Sequence, residues 1–318
     1  MRPARLLPVL LAALAVALAA CGDEQPGGEA AATPAPTATA TAATAAEEPA
    51  APASGQGGGG SPFIGSLSVD PGDGTLMIGT GLGLYRLEPG ARRARRIDGA
   101  LETPGGSGTI SANLELLHLG SGELVASGHP QDGDLPENLG LVRSEDQGDT
   151  WTPVSGLGEV DWHVLERSRG LLAGVPAEGT DLFVSTDGGR AFSRGGVAPA
   201  PPDDVAIDPA DPERWVAATA EGIATSSDGG ATWRPREPIP GAQLAWAEPG
   251  ALYRVDLGGA AWVSRDGGES WEERGNAGGS PSTLDVSPDG TLYLALPGAV
   301  IKRSGDGART WKELTTLD

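Results

Sequence analysis

The chain has 318 residues, 22 Lys and Arg against 43 Asp and Glu, and a net charge of −21. So acidic a balance excludes a binding surface for nucleic acid or anionic lipid, which needs clustered cations. Fifty glycines, 27 prolines, eight tryptophans and a single cysteine exclude an intrachain disulfide and the thiol set of a structural zinc site, and favour a turn-rich β protein.

At the N-terminus, Arg2 and Arg5 precede an apolar run of 15 residues from Leu6 to Ala20. A membrane-spanning helix takes about 18 or more, so the run suits a secretory leader. It ends in LAAC at 18–21, which resembles the lipobox of bacterial lipoproteins. The resemblance implies cleavage after residue 20, lipidation of Cys21, and a chain held outside the cytoplasm on a membrane, at the cell surface or in the periplasm. Two or more acyl chains give stable anchoring. Residues 21–61 then form a linker of Ala, Thr, Pro, Glu and Gly with no aromatic, branched aliphatic or basic residue. Nothing there offsets the entropy of ordering, so a disordered tether is expected, reaching at most about 140 Å.

From residue 62 the chain repeats. An octet reads SEDQGDTW at 144–151, STDGGRAF at 185–192, SSDGGATW at 226–233, SRDGGESW at 264–271 and SGDGARTW at 304–311. Successive copies begin 41, 41, 38 and 40 residues apart. Asp and Ser side chains hydrogen-bond the backbone of a tight turn, and Gly supplies positive φ. The closing aromatic (Trp151, Phe192, Trp233, Trp271, Trp311) begins the next strand and folds over the hairpin. Asp146, Asp187, Asp228, Asp266 and Asp306 are therefore structural. Upstream of the turns lie paired strands such as LSVDP at 67–71 with TLMIG at 75–79, and DVAIDP at 204–209 with WVAAT at 215–219. GLYR at 83–86 frames an additional unit without the octet.

Six units share residues 62–318, about 43 residues each, inside the ~40–45 of a four-stranded blade. The octet resembles the Asp-box, or bacterial neuraminidase repeat, of β-propellers, where it joins strands three and four. An all-β six-bladed propeller, four antiparallel strands per blade, is expected, closing with little or no strand exchange and existing as a monomer.

Ligand sites of such a ring fall on the face opposite the boxes. Two long loops are expected there, Ile97 to Asn113 between blades one and two, and His129 to Leu139 between strands two and three of blade two. His129, Asp132 and Asp134 lie in the second, and Asp161 and His163 begin the inner strand of blade three. These five make a candidate polar site for a metal or a sugar, or else they cap the loops. Two histidines without a short fixed spacing do not specify a metal, and no cofactor is expected. RRARR at 92–96 falls on an outer strand, where charge guards an edge from pairing.

Residues 62–318 resemble bacterial Asp-box propellers of the glycosylhydrolase or exo-alpha-sialidase-like family and, more distantly, photosystem II assembly factor propellers. ASGHP at 126–130, DLP at 134–136, GEVDWHVL at 158–165 and DPADP at 208–212 carry the likeness. Relatives often carry histidines on the first inner strand, whereas this chain has FIGS at 63–66, so a histidine-dependent site of the family would be incomplete. Sialidases hold the substrate carboxylate with three inner-strand arginines and use a Tyr/Glu nucleophile. Here arginines such as Arg190, Arg265 and Arg309 sit at box turns, so a true sialidase is not expected. The expected function is binding of a protein or glycan ligand. The alternative is a glycoside hydrolase using Asp161 with Asp134 or Glu137.

Overall fold

The structure, a computed structural model, describes residues 62–110, 112–130, 135–247 and 250–317. Cys21, the leader, the linker, Asp132 and Asp134 lie outside them. Six sheets follow one another along the chain, each containing four consecutive strands paired antiparallel in sequence order. The inner strands are Ile64–Val69, Ala112–Gly120, Trp162–Ser168, Pro202–Ile207, Ala242–Ala247 and Thr283–Val286. The protein is thus a six-bladed β-propeller, with no helix among the described residues.

Packing explains why the second and third strands are so apolar. Leu76–Thr80, Trp215–Thr219 and Gly222–Ser226 are buried along their whole length, because a blade interior is covered on both faces by its neighbours. Six apolar clusters follow, one for each blade interface. The cluster joining Ile64, Leu67 and Ile78 to Ala295, Ile301 and Leu317 closes the ring. Among the described residues, closure uses no exchanged strand. Side chains do the stitching instead. Val69 N–H donates to Asp285 Oδ2 at 2.7 Å, and the Thr315 hydroxyl donates to the Arg92 carbonyl at 3.1 Å. Arg95 and Arg96 lie exposed on the outer strand Arg95–Ile97, as an edge guard should.

The five boxes share three hydrogen bonds (Ser Oγ to Asp Oδ1, the fifth-residue amide to Ser Oγ, the seventh-residue amide to Asp Oδ1), and all but the second, which has Ala191, add a hydroxyl bond to Asp Oδ2. In the fourth, Ser264 Oγ donates to Asp266 Oδ1 at 2.8 Å and accepts the Gly268 amide at 2.8 Å. Asp266 Oδ1 also accepts the Ser270 amide at 2.9 Å, and its Oδ2 accepts the Ser270 hydroxyl at 2.6 Å. The fifth box residue is left-handed, with φ of 86° at Gly189 and 66° at Ala308. A Cβ on Gly189 would lie 2.1 Å from Leu141 Cδ2, so a larger residue there would have to displace the Leu141 side chain, whereas Ala308 is accommodated at the same position of the fifth box. Slight burial pushes the Asp266 carboxyl up, but the Ser270 and Ser264 hydrogen bonds outweigh it and hold it at about 2. Asp266→Ala is expected to cost about 1–3 kcal/mol, read by chemical denaturation. An unchanged midpoint would remove the box aspartate from its structural role.

One expected loop is a correction. The segment from Ile97 to Asn113 does not lie open on the ligand face. It folds into a hairpin, Ala100–Thr103 with Gly106–Thr109, whose first strand pairs parallel with the outer strand of blade two (Thr150↔Ala100, Trp151↔Leu101). Blade two therefore has six strands. The hairpin covers an edge that the other blades keep short and polar. Its far strand also supports the second long loop, since a Cβ on Gly108 would come within 2.9 Å of Leu135 Cγ.

Candidate functional site

His129 is the penultimate residue of the second strand of blade two, Glu123–Pro130. Asp161 immediately precedes the inner strand of blade three, Trp162–Ser168, on which His163 lies. Residues two apart on a strand point to the same side, so Asp161 and His163 are presented together. The neighbouring blade brings in His129. The Trp162 amide donates to Ser127 Oγ at 2.8 Å, fixing the two strands against each other at this level.

Around Asp161 the three side chains converge. Its Oδ2 lies 2.8 Å from His129 Nε2 and 2.7 Å from His163 Nε2. The two rings stand nearly perpendicular, 87° apart with centroids at 6.5 Å. The Asp161 side chain is 4% exposed, whereas those of His129 and His163 are 48% and 57% exposed. A buried carboxylate is thus roofed by two half-open imidazoles. Its contact with Asp161 raises the His163 imidazole above its ordinary value, and burial only partly opposes this.

On its other side, His129 Nδ1 lies 3.0 Å from the Glu137 carbonyl oxygen. A carbonyl only accepts, so Nδ1 carries the hydrogen. Glu137 contributes this backbone oxygen and keeps its own side chain exposed. The third histidine is structural. His118 is 2% exposed, its Nδ1 is 2.9 Å from Ser68 Oγ, and burial lowers its imidazole to about 4.

A second polar group runs down the axis of the ring. Glu115, Glu166, Asp204 and Asp285, from four inner strands, line a cavity of about 130 Å³ together with Ser68 and Gln243. Burial raises all four carboxyls, Glu166 to about 8, Asp204 to about 7 and Asp285 to about 6, with Glu115 well above its ordinary value. Two of them also join blades, since Asp204 Oδ2 accepts the Leu244 amide at 2.8 Å and Asp285 accepts Val69 N–H. Sequence reasoning passed over these residues. Their signal is a polar residue set among apolar ones on successive inner strands, as in Leu114, Glu115, Leu116 and Leu284, Asp285, Val286.

Residues 262–273, around the fourth box, match the BNR/Asp-box repeat family. No curated protein sequence matches the chain. Among solved structures, an ancestral GH74 enzyme superposes with a TM-score of 0.52 at 12% identity, over 80% of this chain and 39% of that enzyme. The GH74 enzyme of Niastella koreensis gives 0.48 at 15% identity, over 80% and 37%. YCF48 bound to D1 peptide gives 0.45 at 19% identity, over 68% and 70%. The chain spans well under half the length of the GH74 enzymes, and at such identities the likeness is one of fold. The protein is a propeller carrying the BNR/Asp-box repeat.

Proposed function

We propose that this chain is a lipid-anchored, extracytoplasmic propeller that binds a protein or glycan ligand on its long-loop face. The observation that carries the reading is the cluster of His129, Asp161 and His163. It places two half-exposed imidazoles over a buried carboxylate on the face opposite the boxes, where propellers present their variable loops. Cys21 and the polar linker supply the anchor and the reach. The acidic surface keeps nucleic acid off, and the protein acts as a monomer. Fold by itself assigns no activity.

The binding test compares the full chain with His163→Ala on the ligand face and Arg309→Ala on the box face, over an array of extracellular glycans and over immobilised envelope proteins. Binding lost at least tenfold in His163→Ala and kept in Arg309→Ala is the expected result. Binding that ignores His163→Ala overturns the choice of face. For the anchor, Cys21→Ser is expected to move the protein from the membrane to the soluble fraction.

Glycoside hydrolysis is the second reading, favoured by the raised axial carboxyls, which have the protonation a general acid needs. Against it stands the cavity, about 130 Å³, below the ~300 Å³ and upward of small-molecule sites. Turnover of fluorogenic glycosides that disappears in Glu166→Gln would establish this reading in place of simple binding.

A further inference from the structure

We propose that His129 Nε2, Asp161 Oδ2 and His163 Nε2 hold one divalent transition-metal ion of the zinc type at the long-loop mouth between blades two and three. This goes beyond ligand binding as such. It rests on the three donors alone.

The first support is the tautomer. Because His129 Nδ1 donates to the Glu137 carbonyl, Nε2 of the neutral ring carries a bare lone pair. That lone pair faces Asp161 Oδ2 at 2.8 Å, so two acceptors meet unless a metal ion, or the second proton of an imidazolium, lies between them. An imidazole with one nitrogen fixed to a carbonyl and the other free is also how metal-binding histidines are oriented.

Asp161 gives the second, independent support. Apart from the two imidazoles on Oδ2, neither of its carboxylate oxygens accepts a hydrogen bond from the protein among the described residues, although its side chain is 4% exposed. A buried carboxylate so poorly supplied with donors is costly, and among the described residues the two imidazole nitrogens are the close partners of its side chain. Placing an ion between them would satisfy the carboxylate and both rings together.

Distances fit. The three donor atoms lie within 4.8 Å of one another. Zinc with bonds of about 2.0–2.2 Å sets tetrahedral ligand atoms roughly 3.3 Å apart. The nitrogen–oxygen contacts must open by about half an ångström, which half-exposed rings achieve by small rotations. Imidazole and carboxylate donors suit zinc and its first-row neighbours more than calcium or magnesium. Three protein donors leave a coordination position open, and the exposed ring edges turn it towards solvent. An oxygen of the ligand proposed above would find its anchor there, a step that depends on that proposal, whereas metal uptake does not.

The test uses the full chain in detergent, carrying Cys21→Ser so that no thiol contributes. After chelator treatment it is titrated with zinc chloride, and in parallel with calcium chloride. One zinc per chain at micromolar or tighter affinity is expected, with no calcium uptake of comparable strength. Cobalt is expected to give visible d–d absorption. His163→Ala, an exposed position that leaves folding intact, and Asp161→Asn are each expected to weaken zinc binding at least tenfold. No zinc uptake, or uptake equal in both variants and the parent, overturns the proposal and leaves the cluster as a proton-sharing triad. Because the ion is titrated without any protein or glycan, its failure is distinct from failure of ligand binding.

Discussion

Trp151→Ala destabilises the propeller by about 3–5 kcal/mol, a fall in Tm of about 10 °C for a domain of this size. It is the largest loss expected among the five box aromatics. Trp151 is 1% exposed, whereas Trp271 and Trp311 are half-buried. The hairpin Ala100–Thr103/Gly106–Thr109 causes the difference, because its Leu101 sits directly beside Trp151 in the parallel pairing. The indole then belongs to a core with Met77, Leu84 and Ile97 of blade one, Leu101 and Ile110 of the added segment, and Leu135 and Leu139 of the second long loop. Its Nε1–H donates to the Gly148 carbonyl at 2.9 Å. Removing it opens a cavity where three elements meet, with little freedom to collapse. Trp271, by contrast, lies beneath the Arg254 guanidinium at 4.5 Å with its indole N–H unpartnered, so its truncation is expected to cost less. Differential scanning calorimetry on both variants checks the ranking. A Trp151→Ala variant as stable as Trp271→Ala would remove the hairpin from its stabilising role.

The contrast between the hairpin and the boxes shows what the sequence displays. A box writes its geometry into residue types, since Asp266, Gly268 and Trp271 each meet a local requirement within eight positions. Copies at even spacing then imply blades, and blades imply the ring. The added hairpin has no such signature. Thr103, Pro104, Gly105 and Gly106 read as loop residues, because a strand laid on an outer edge needs no alternating apolar face. The functional cluster is intermediate. Asp161 and His163 share a side by strand periodicity, but His129 joins them only because two blades are adjacent. Which nitrogen of His129 is free depends on a backbone carbonyl, invisible to any motif. The axial carboxyls are dispersed one per inner strand, and only the closed ring makes them neighbours.

That ring of carboxyls sets the pH dependence of stability, with a maximum expected near pH 4–5. Asp285, Asp204 and Glu166 are raised to about 6, 7 and 8 by burial, so the folded chain holds protons that the unfolded chain has released at the same pH. Stability is then full below the ordinary carboxyl range and declines as pH rises from about 4 through 8. The box aspartates act in the opposite sense. Hydrogen bonds from Thr232 and Ser226 hold Asp228 at about 2, and Asp266 is held there too. Their contribution is present above about pH 4 and is lost as pH falls towards 2. On the alkaline side, the axial side chains keep part of their surface open to the cavity, which discounts the penalty to about 1–2 kcal/mol for the group. Glu166→Gln removes one charge from the axis while retaining the side chain's shape. It is expected to raise Tm at pH 8 by about 1–3 °C and to leave Tm at pH 4.5 unchanged. Thermal unfolding across pH 3–9 reads both limbs. A flat profile between pH 5 and 8.5 would mean that the axial carboxyls ionise as freely in the folded ring as in the open chain. Equal gains for Glu166→Gln at pH 4.5 and pH 8 would locate its effect in packing, with no part played by charge.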